Sequence, residues 1–177
     1  MAVARLLSNT EKLVAQIVFK MISDPEEKKD IVQDIYLKTF KHLPDLKHQC
    51  KLSTWIAQIT YYTCFNYLKK HRPLLLKIDV HENVRDLPPV WSKISRSNTN
   101  AFELLMAKER ESILEKHIGE LPPTYRVLLT LFHKEELSLE EIATITGLPI
   151  GTIKNYLFRA RKALKERLLR HYLKEDL

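Results

Sequence analysis

The chain has 177 residues, enough for one domain or for two small ones with modest helical cores. Its three glycines exclude a glycine-rich phosphate loop and a dinucleotide fingerprint, and with them nucleotide enzymes of those types. The formal net charge is +7, and residues 149–174 carry all of it, with eight Lys or Arg against one acidic residue. Such a localised positive charge indicates nucleic acid as a partner, with a membrane surface as the alternative.

The sequence has no run of about 18 apolar residues that would span a membrane, and its N-terminal stretch lacks the apolar core of a secretory signal. We therefore expect a cytoplasmic protein with no membrane insertion. Neither cysteine belongs to a CxxC pair, and the histidines show no HExxH spacing, so we expect no metal and no cofactor. A metal or redox switch built from His48 and Cys50 stays open beside the interpretation of both as loop residues.

A helix start is encoded at Asp24, which is followed by a proline and two glutamates. The helix should run to about His42. Its predicted core stripe comprises Val32, Ile35, Tyr36, Thr39, Phe40 and Leu43. The exposed rows comprise Asp30, Asp34 and Lys38, and beside them Gln33, Leu37 and Lys41. Leu37 is thus an apolar residue on a polar face, which suggests a protein partner, although single exposed leucines are also common.

No acidic residue lies between Asp45 and Asp79, whereas basic residues and aromatic rings are frequent there. We predict a helix from Ser53 to about His71, opened by Ser53 or Thr54. Its rings are those of Trp55, Tyr61, Tyr62, Phe65 and Tyr67. Rings interleaved with cations suit single-stranded DNA, because each ring can stack on an unpaired base while the cations hold the backbone. The alternative is that Trp55, Ile59 and Phe65 belong to the core.

Residues 73 to about 100 contain three prolines and a polar run, and we interpret them as a linker. Helices should resume near Ala101 and continue to Ile118, and Pro122-Pro123 should open a further helix. The predicted fold is all-α, with two small helical domains joined by a flexible linker, the C-terminal one containing a helix-turn-helix. The predicted boundaries are residues 1–73 and 101–177 for the domains and 74–100 for the linker.

The helix-turn-helix prediction rests on residues 138–164. The Ser138 hydroxyl can accept from the backbone N–H of Glu141, whose side chain can reach back to Ser138, and Gly147 follows where the chain leaving a helix often needs positive φ. A second helix begins at Ile150. Its apolar positions are Ile150, Ile153, Leu157, Ala160, Leu164 and Leu168. Its remaining surface carries Lys154, Asn155, Phe158, Arg159, Arg161, Lys162 and Lys165. The layout favours a helix that enters a DNA groove over an ordinary solvated amphipathic helix.

Four segments resemble a bacterial RNA polymerase sigma factor of the extracytoplasmic-function (ECF) class, and the resemblance covers nearly the whole chain. DPEEKKDIVQDIYLKTFKHL is similar to sigma region 2, STWIAQITYYTCFNYLKKHRP to the melting and minus-ten segment, and LPPTYRVLLTL with SLEEIATITGLPIGTIKNYLFRARKAL to region 4. The resemblance implies a promoter-specific initiation factor rather than an enzyme. It implies core RNA polymerase, promoter DNA and an anti-sigma factor as partners.

The resemblance also implies roles for individual residues. Those expected to bind core polymerase are Asp30, Gln33, Asp34 and Leu37. Those expected to recognise the minus-thirty-five element are Thr152, Lys154, Asn155, Phe158, Arg159 and Lys162. Those expected to recognise and melt the minus-ten element are Lys47, His48, Trp55, Tyr62, Lys69, Lys70 and Arg72. The chain departs from the family pattern twice. It has Leu46-Lys47-His48 in a loop where Phe-Arg-Gly is frequent, and Tyr62 where an asparagine is common. We therefore expect either that the pocket for the minus-ten base accepts a different base or that Tyr62 stacks on the base.

Two other interpretations remain open from the sequence. A conventional activator or repressor would bind duplex DNA through residues 138–164 and use its N-terminal half for dimerisation or sensing. The acid-free aromatic segment argues against it. A basic helical hydrolase acting on nucleic acid would need a cluster of carboxylates or histidines, which the sequence lacks.

Overall fold

The computed structural model describes residues 2–45, 50–76 and 111–175, and within these ranges it is helical and contains no strand. The helices are α1 (Ala2–Met21), α2 (Pro25–His42), α3 (Leu52–His71), α4 (residues 111–119), α5 (Pro123–Leu129), α6 (Leu139–Thr146) and α7 (Ile150–Glu175). Short 3-10 turns follow α2 and α3, and a π-helical turn, Thr130–Lys134, follows α5. The all-α prediction is confirmed.

Helix α2 begins and ends where its sequence predicts. Asp24 Oδ1 accepts hydrogen bonds from the backbone N–H groups of Glu26 and Glu27, at 2.9 and 3.1 Å, and Pro25 occupies the first turn. The predicted core stripe is only partly right. Ile35 and Thr39 of this stripe are buried, whereas the Phe40 side chain keeps 36% of its surface exposed, and Ile31, which the stripe leaves out, is buried. The buried face follows the i, i+4 row that runs to Thr39, which turns Phe40 outward.

Helix α3 begins at Leu52, one residue before the predicted start at Ser53, so neither Ser53 nor Thr54 caps it. The N-cap is Lys51, whose side chain makes no capping hydrogen bond, and Thr54 is buried. The buried residues of α3 are Thr54, Ile56, Ala57, Thr60, Tyr61, Thr63, Cys64 and Leu68. Thr60 can be buried because its hydroxyl donates to the Ile56 carbonyl oxygen at 2.8 Å. These small and hydroxylated residues widen a core face that looks thin when only large apolar residues are counted.

The two halves of the described chain, residues 2–76 and 111–175, pack directly against each other. Helix α1 lies against both α3 and α5, and α3 lies against α6. Buried apolar side chains of both halves form one continuous cluster, which includes Val14, Ile17, Ile35, Ile56, Leu128, Leu131, Ile145 and Leu157. The packing places the middle of α3 beside the α6–α7 turn. None of the helices described is both long and apolar enough to cross a membrane.

Candidate nucleic-acid interface

Helices α6 and α7 form the predicted helix-turn-helix, and its first helix is capped as predicted. The backbone N–H of Glu141 donates to Ser138 Oγ at 3.1 Å, and the backbone N–H of Ser138 donates to Glu141 Oε2 at 3.1 Å. Gly147 ends α6 with φ 70°, and its N–H donates to the Ala143 carbonyl at 2.8 Å. The capping box therefore fixes where α6 begins, and Gly147 fixes where it ends before the turn into α7.

Replacing Ser138 with alanine should destabilise the protein by about 1 kcal/mol, because an orphan N–H at the start of α6 loses its acceptor. Thermal unfolding followed by circular dichroism measures the effect. Ser138→Thr is the matched control, since threonine retains a capping hydroxyl and should stay close to the wild type. An equal loss in both variants would assign the effect to something other than the cap.

Helix α7 presents one buried face and one polar face. Ile153, Leu157 and Ala160 are fully buried, with steps of four and three that align them on one side. The predicted minus-thirty-five residues lie outside this row. They are Thr152, Lys154, Asn155, Phe158 and Arg159, which are half-buried, and Lys162, which is exposed. The helix thus brings all six side chains together along a continuous surface, with Thr152, Asn155, Arg159 and Lys162 in line at helical spacing.

Arg161 lies outside the buried row of α7, as predicted, and is half-buried. Its Nε donates to His133 Nε2 at 3.1 Å, and its guanidinium carbon lies 5.7 Å from the centre of the Phe132 ring. Burial and the Arg161 charge lower the pKa of His133, which keeps this ring neutral and able to accept. Arg161 therefore also ties α7 to the turn after α5.

The minus-ten residues predicted on α3 are placed unequally. Trp55 is half-buried, Tyr62 is 39% exposed, and Lys69, Lys70 and Arg72 are exposed at the C-terminal end of the helix. Cations at this position interact favourably with the negative end of the helix dipole, and they could also bind a phosphate. Arg72 Nη2 also lies 3.4 Å from Glu27 Oε1. The other two residues of this set, Lys47 and His48, lie outside the described residues.

Not every ring of α3 is available to an unpaired base. Tyr61 is 3% exposed, its ring is stacked on Phe65 with centroids 5.9 Å apart, and burial raises the pKa of its hydroxyl. Tyr67 is half-buried and stacks on His71 with centroids 4.6 Å apart. The prediction of five stacking rings is therefore wrong for Tyr61, which belongs to the core, and Tyr62 is the most exposed ring of the set.

Tyr62 and Lys51 both contact the helix-turn-helix. Tyr62 Oη donates to the carbonyl oxygen of Thr146 at 3.3 Å, at the end of α6. Lys51 Nζ lies 2.9 Å from Glu141 Oε1, and the hydrogen bond from this lysine is the main cause that lowers the pKa of Glu141. The minus-ten segment and the helix-turn-helix are thus adjacent surfaces of the folded chain.

The predicted polymerase-binding residues share the outer face of α2. Asp30 and Gln33 are exposed, Leu37 is 69% exposed, and Asp34 Oδ2 forms an ion pair with Lys38 Nζ at 2.6 Å. Phe40, one turn after Leu37, adds a second partly exposed apolar side chain, although the predicted core stripe includes it. The periodicity alone could have placed Phe40 beside Leu37, since the two are three residues apart.

Among the described residues, no group of three or more His, Cys, Asp or Glu is placed to hold a metal ion. Cys64 is fully buried, and burial raises the pKa of its thiol to about 12, so this side chain acts as a small apolar group. Cys50 is half-buried, and its suggested partner His48 lies outside the part of the chain that the structure describes.

Comparisons with known proteins define the class of this protein. Residues 6–73 match Sigma-70 region 2 and residues 111–164 match Sigma-70 region 4. The first range contains α2 and α3, and the second contains the helix-turn-helix. The chain thus combines the two conserved regions of sigma-70-type transcription initiation factors.

Two similar proteins identify the family within this class. The ECF RNA polymerase sigma-E factor of Escherichia coli K12 is 30% identical over 142 residues, which cover 78% of this chain and 72% of that protein. The ECF RNA polymerase sigma factor SigW of Bacillus subtilis is 25% identical over 155 residues, which cover 88% and 82%. The chain therefore belongs to the ECF RNA polymerase sigma factor family. Its function is that of a promoter-specific transcription initiation factor, which supplies specificity and not catalysis.

Two solved structures share the fold. The sigma factor RpoE from Bartonella quintana, in complex with the anti-sigma factor NepR, aligns with a TM-score of 0.62 at 22% identity, over 93% of this chain and 94% of that one. CnrH in complex with the cytosolic domain of CnrY aligns with a TM-score of 0.59 at 18% identity, over 93% and 86%.

Proposed function

We propose that this protein binds core RNA polymerase through the outer face of α2 and recognises promoters with two separate surfaces. The polar face of α7 would recognise the minus-thirty-five element in duplex DNA. The segment from Leu46 to Arg72 would capture unpaired bases of the minus-ten element. The domain boundaries that we assign remain 1–73 and 101–177, with 74–100 as the linker.

The observation that carries the minus-thirty-five assignment is the polar face of α7 on a capped helix-turn-helix. Helices of this kind place their N-terminal turns in the major groove, where lysine and arginine can approach guanine acceptors and asparagine can pair with adenine. The buried row of Ile153 and Leu157 fixes the rotation of α7 about its axis. Lys154, Asn155 and Arg159 would therefore reach base edges, while the basic residues further along α7 would contact phosphates.

Arg159→Ala should weaken binding to the cognate minus-thirty-five duplex by about 1 to 3 kcal/mol if the guanidinium contacts a base. Fluorescence anisotropy with cognate and scrambled duplexes, at one fixed salt concentration, measures both affinities. Arg170→Ala is the control for the loss of a charge alone, because Arg170 is exposed on α7 about three turns beyond Arg159 on the same side of the helix, and it should weaken binding to both duplexes equally. A loss of equal size on both duplexes would show that Arg159 contacts only phosphate.

The minus-ten assignment rests on an exposed ring beside a group of cations. Tyr62 offers a partly exposed ring in the middle of α3, and Lys69, Lys70 and Arg72 follow at its C-terminal end. Stacking on an aromatic ring is sequence-tolerant because every base has a π face, whereas an asparagine at this position would form hydrogen bonds to one base. We therefore propose that Tyr62 contributes stacking at the minus-ten element.

We further propose that the protein acts in the cytoplasm and has an anti-sigma partner. The proposal is supported by two solved structures of similar fold, since RpoE was determined in complex with the anti-sigma factor NepR and CnrH in complex with the cytosolic domain of CnrY. An anti-sigma factor that covered the α2 face would compete with core RNA polymerase for Leu37.

The test of the proposed function is run-off transcription by core RNA polymerase on a library of promoter fragments, with and without this protein. Selective transcripts that depend on the protein would support the proposal and reveal both recognition elements. Tight binding to duplex DNA without any association with polymerase would contradict it, because that is the behaviour of a conventional regulator.

A further inference from the structure

The last turns of α7 meet α4 in a cluster of charged and histidine side chains. Between the two helices lies a cavity of about 230 Å³, lined by His117, Glu120, Arg167, Arg170 and His171. His117 belongs to α4, whereas the two arginines and His171 belong to α7. The match to Sigma-70 region 4 ends at residue 164. All three α7 residues of the cavity therefore lie beyond the part of the chain that matches the family.

His117 is a buried imidazole without a well-formed hydrogen bond. The residue is 8% exposed, and neither ring nitrogen has a hydrogen-bond partner among the described residues. Nδ1 lies 3.5 Å from Glu120 Oε2, which is long for a hydrogen bond. The ring packs edge-on against that of His171, with centroids 5.1 Å apart. Because buried polar groups almost always have a partner, this side chain indicates a place where a ligand can bind.

The charges that line the cavity favour an anion over a metal cation. Glu120 is the only carboxylate among the described residues that line it, and Arg167 Nη1 already donates to Glu120 Oε2 at 2.7 Å. Arg170 is held loosely, since its Nη2 lies 4.0 Å from Glu166 Oε2 with both side chains largely exposed, and such a pair contributes little in water. With Glu120 neutralised by Arg167, the second guanidinium remains to attract negative charge.

The size and donors of the cavity suit a phosphoryl group. A volume of about 230 Å³ exceeds the roughly 30 Å³ that one water molecule occupies in the liquid. A guanidinium presents its N–H groups in a planar fork that matches phosphate oxygens. An imidazole has at least one N–H to donate, whether the ring is neutral or protonated.

We propose that the cavity between α4 and the end of α7 binds a phosphoryl group, with Arg167 and Arg170 on its oxygens and His117 and His171 as further donors. The group could belong to a small phosphorylated molecule or to the backbone of DNA. In either case it would join α4 to α7 about one to two turns beyond Lys162, the last residue that we assign to minus-thirty-five recognition. The inference is independent of the proposed promoter contacts.

Isothermal titration calorimetry of the full-length protein tests the site with inorganic phosphate and pyrophosphate. Ionic strength is held constant with potassium chloride, so that screening of the basic surface does not change during the titration. We expect pyrophosphate to bind at one saturable site with a Kd of about 1 mM or tighter. Inorganic phosphate, which offers fewer oxygens and less charge, should bind more weakly.

Arg170→Gln should weaken pyrophosphate binding about tenfold or more, because a hydrogen bond to a charged group is lost. The variant should stay folded, since Arg170 is exposed. Lys165→Gln is the matched control: it removes the same charge from an exposed position of α7 that does not line the cavity, and it should change Kd by about twofold or less. Equal losses in both variants would show that the anion responds only to the overall charge of α7, which would contradict the site.

Nuclear magnetic resonance of the imidazole nitrogens shows where the anion binds. Pyrophosphate should move the His117 signals with the same Kd that calorimetry gives, while those of His71, exposed on α3, should stay in place. Saturable binding that leaves the His117 signals unchanged would place the anion elsewhere and overturn the inference. This measurement uses the natural sequence, so it does not depend on the folding of any variant.

A second titration, with a short DNA duplex of random sequence, distinguishes the two sources of the phosphoryl group. If the site takes the DNA backbone, the duplex should move the His117 signals and compete with pyrophosphate, and Arg170→Gln should abolish the shift. If it takes a small molecule, the protein bound to DNA should still bind pyrophosphate with an unchanged Kd. The inference fails if phosphate, pyrophosphate and the duplex all leave the His117 signals unchanged.

Discussion

Leu37→Asp should weaken binding to core RNA polymerase by about 3 kcal/mol, more than a hundredfold in Kd at 25 °C. The leucine side chain is 69% exposed on α2 and lies one turn from the partly exposed Phe40, so a partner that covers this face would bury both. Aspartate removes the apolar contact and brings an unpaired carboxylate into the interface. Native gel shift or surface plasmon resonance with purified core polymerase measures the loss, and run-off transcription should fall with it.

A control variant distinguishes loss of a specific contact on the α2 face from a general effect of an added negative charge on polymerase binding. Leu74→Asp makes the same substitution at a leucine that is 73% exposed in the turn after α3. Both variants should unfold within about 0.5 kcal/mol of the wild type, because neither side chain is buried. If Leu37→Asp and Leu74→Asp bound polymerase equally well, the α2 face would not be the polymerase-binding surface.

Structural features that depend only on residues close together in the sequence were predicted correctly. The caps at Asp24 and Ser138 and the positive φ of Gly147 depend on residues within a few positions of one another, and each is present in the structure. The rotation of α7 also follows from its sequence, because this helix buries a single face and so shows a clear period. These features were sufficient to place the polar face that we assign to minus-thirty-five recognition.

The errors on α2 and α3 have a common physical cause. Helix α3 contacts α1, α2 and α6, so residues on several of its sides are buried and the pattern of apolar residues loses its single period. Thr54 and Tyr61 were assigned to a cap and to a stacking surface because their types suit those roles, yet tertiary packing buries both. The prediction for Phe40 is wrong in the other direction: its apolar side chain next to the core stripe predicts burial, yet the side chain is partly exposed.

Long-range contacts carry no signal in a single sequence. Arg161 meets His133 across 28 residues, and Tyr62 meets Thr146 across 84. The first contact engages a basic side chain of α7 with the turn after α5, and the second links the two proposed recognition surfaces. Neither could be predicted without the packing of the helices, although both partners of each pair were visible as residues with suitable donors and acceptors.

Leu157→Ala should destabilise the C-terminal half by about 2 to 5 kcal/mol, because the truncation leaves a cavity among closely packed neighbours. Leu157 is fully buried on α7, which packs against α5 and α6. Leu157 is one member of the buried row, with Ile153 and Ala160, that together sets the rotation of α7. Urea unfolding followed by circular dichroism gives the loss, and anisotropy with the minus-thirty-five duplex gives the consequence for recognition.

Two variants determine whether this loss comes from the cavity. Leu157→Met keeps most of the volume and should cost less than about 1.5 kcal/mol, while Leu169→Ala truncates a leucine that is 52% exposed on the same helix and should cost about 0.5 kcal/mol or less. In Leu157→Ala, duplex affinity should fall only as far as the folded fraction falls. A larger loss of affinity in fully folded protein would mean that the cavity also lets α7 rotate, so that packing beneath the helix, as well as the residues on its polar face, determines promoter specificity.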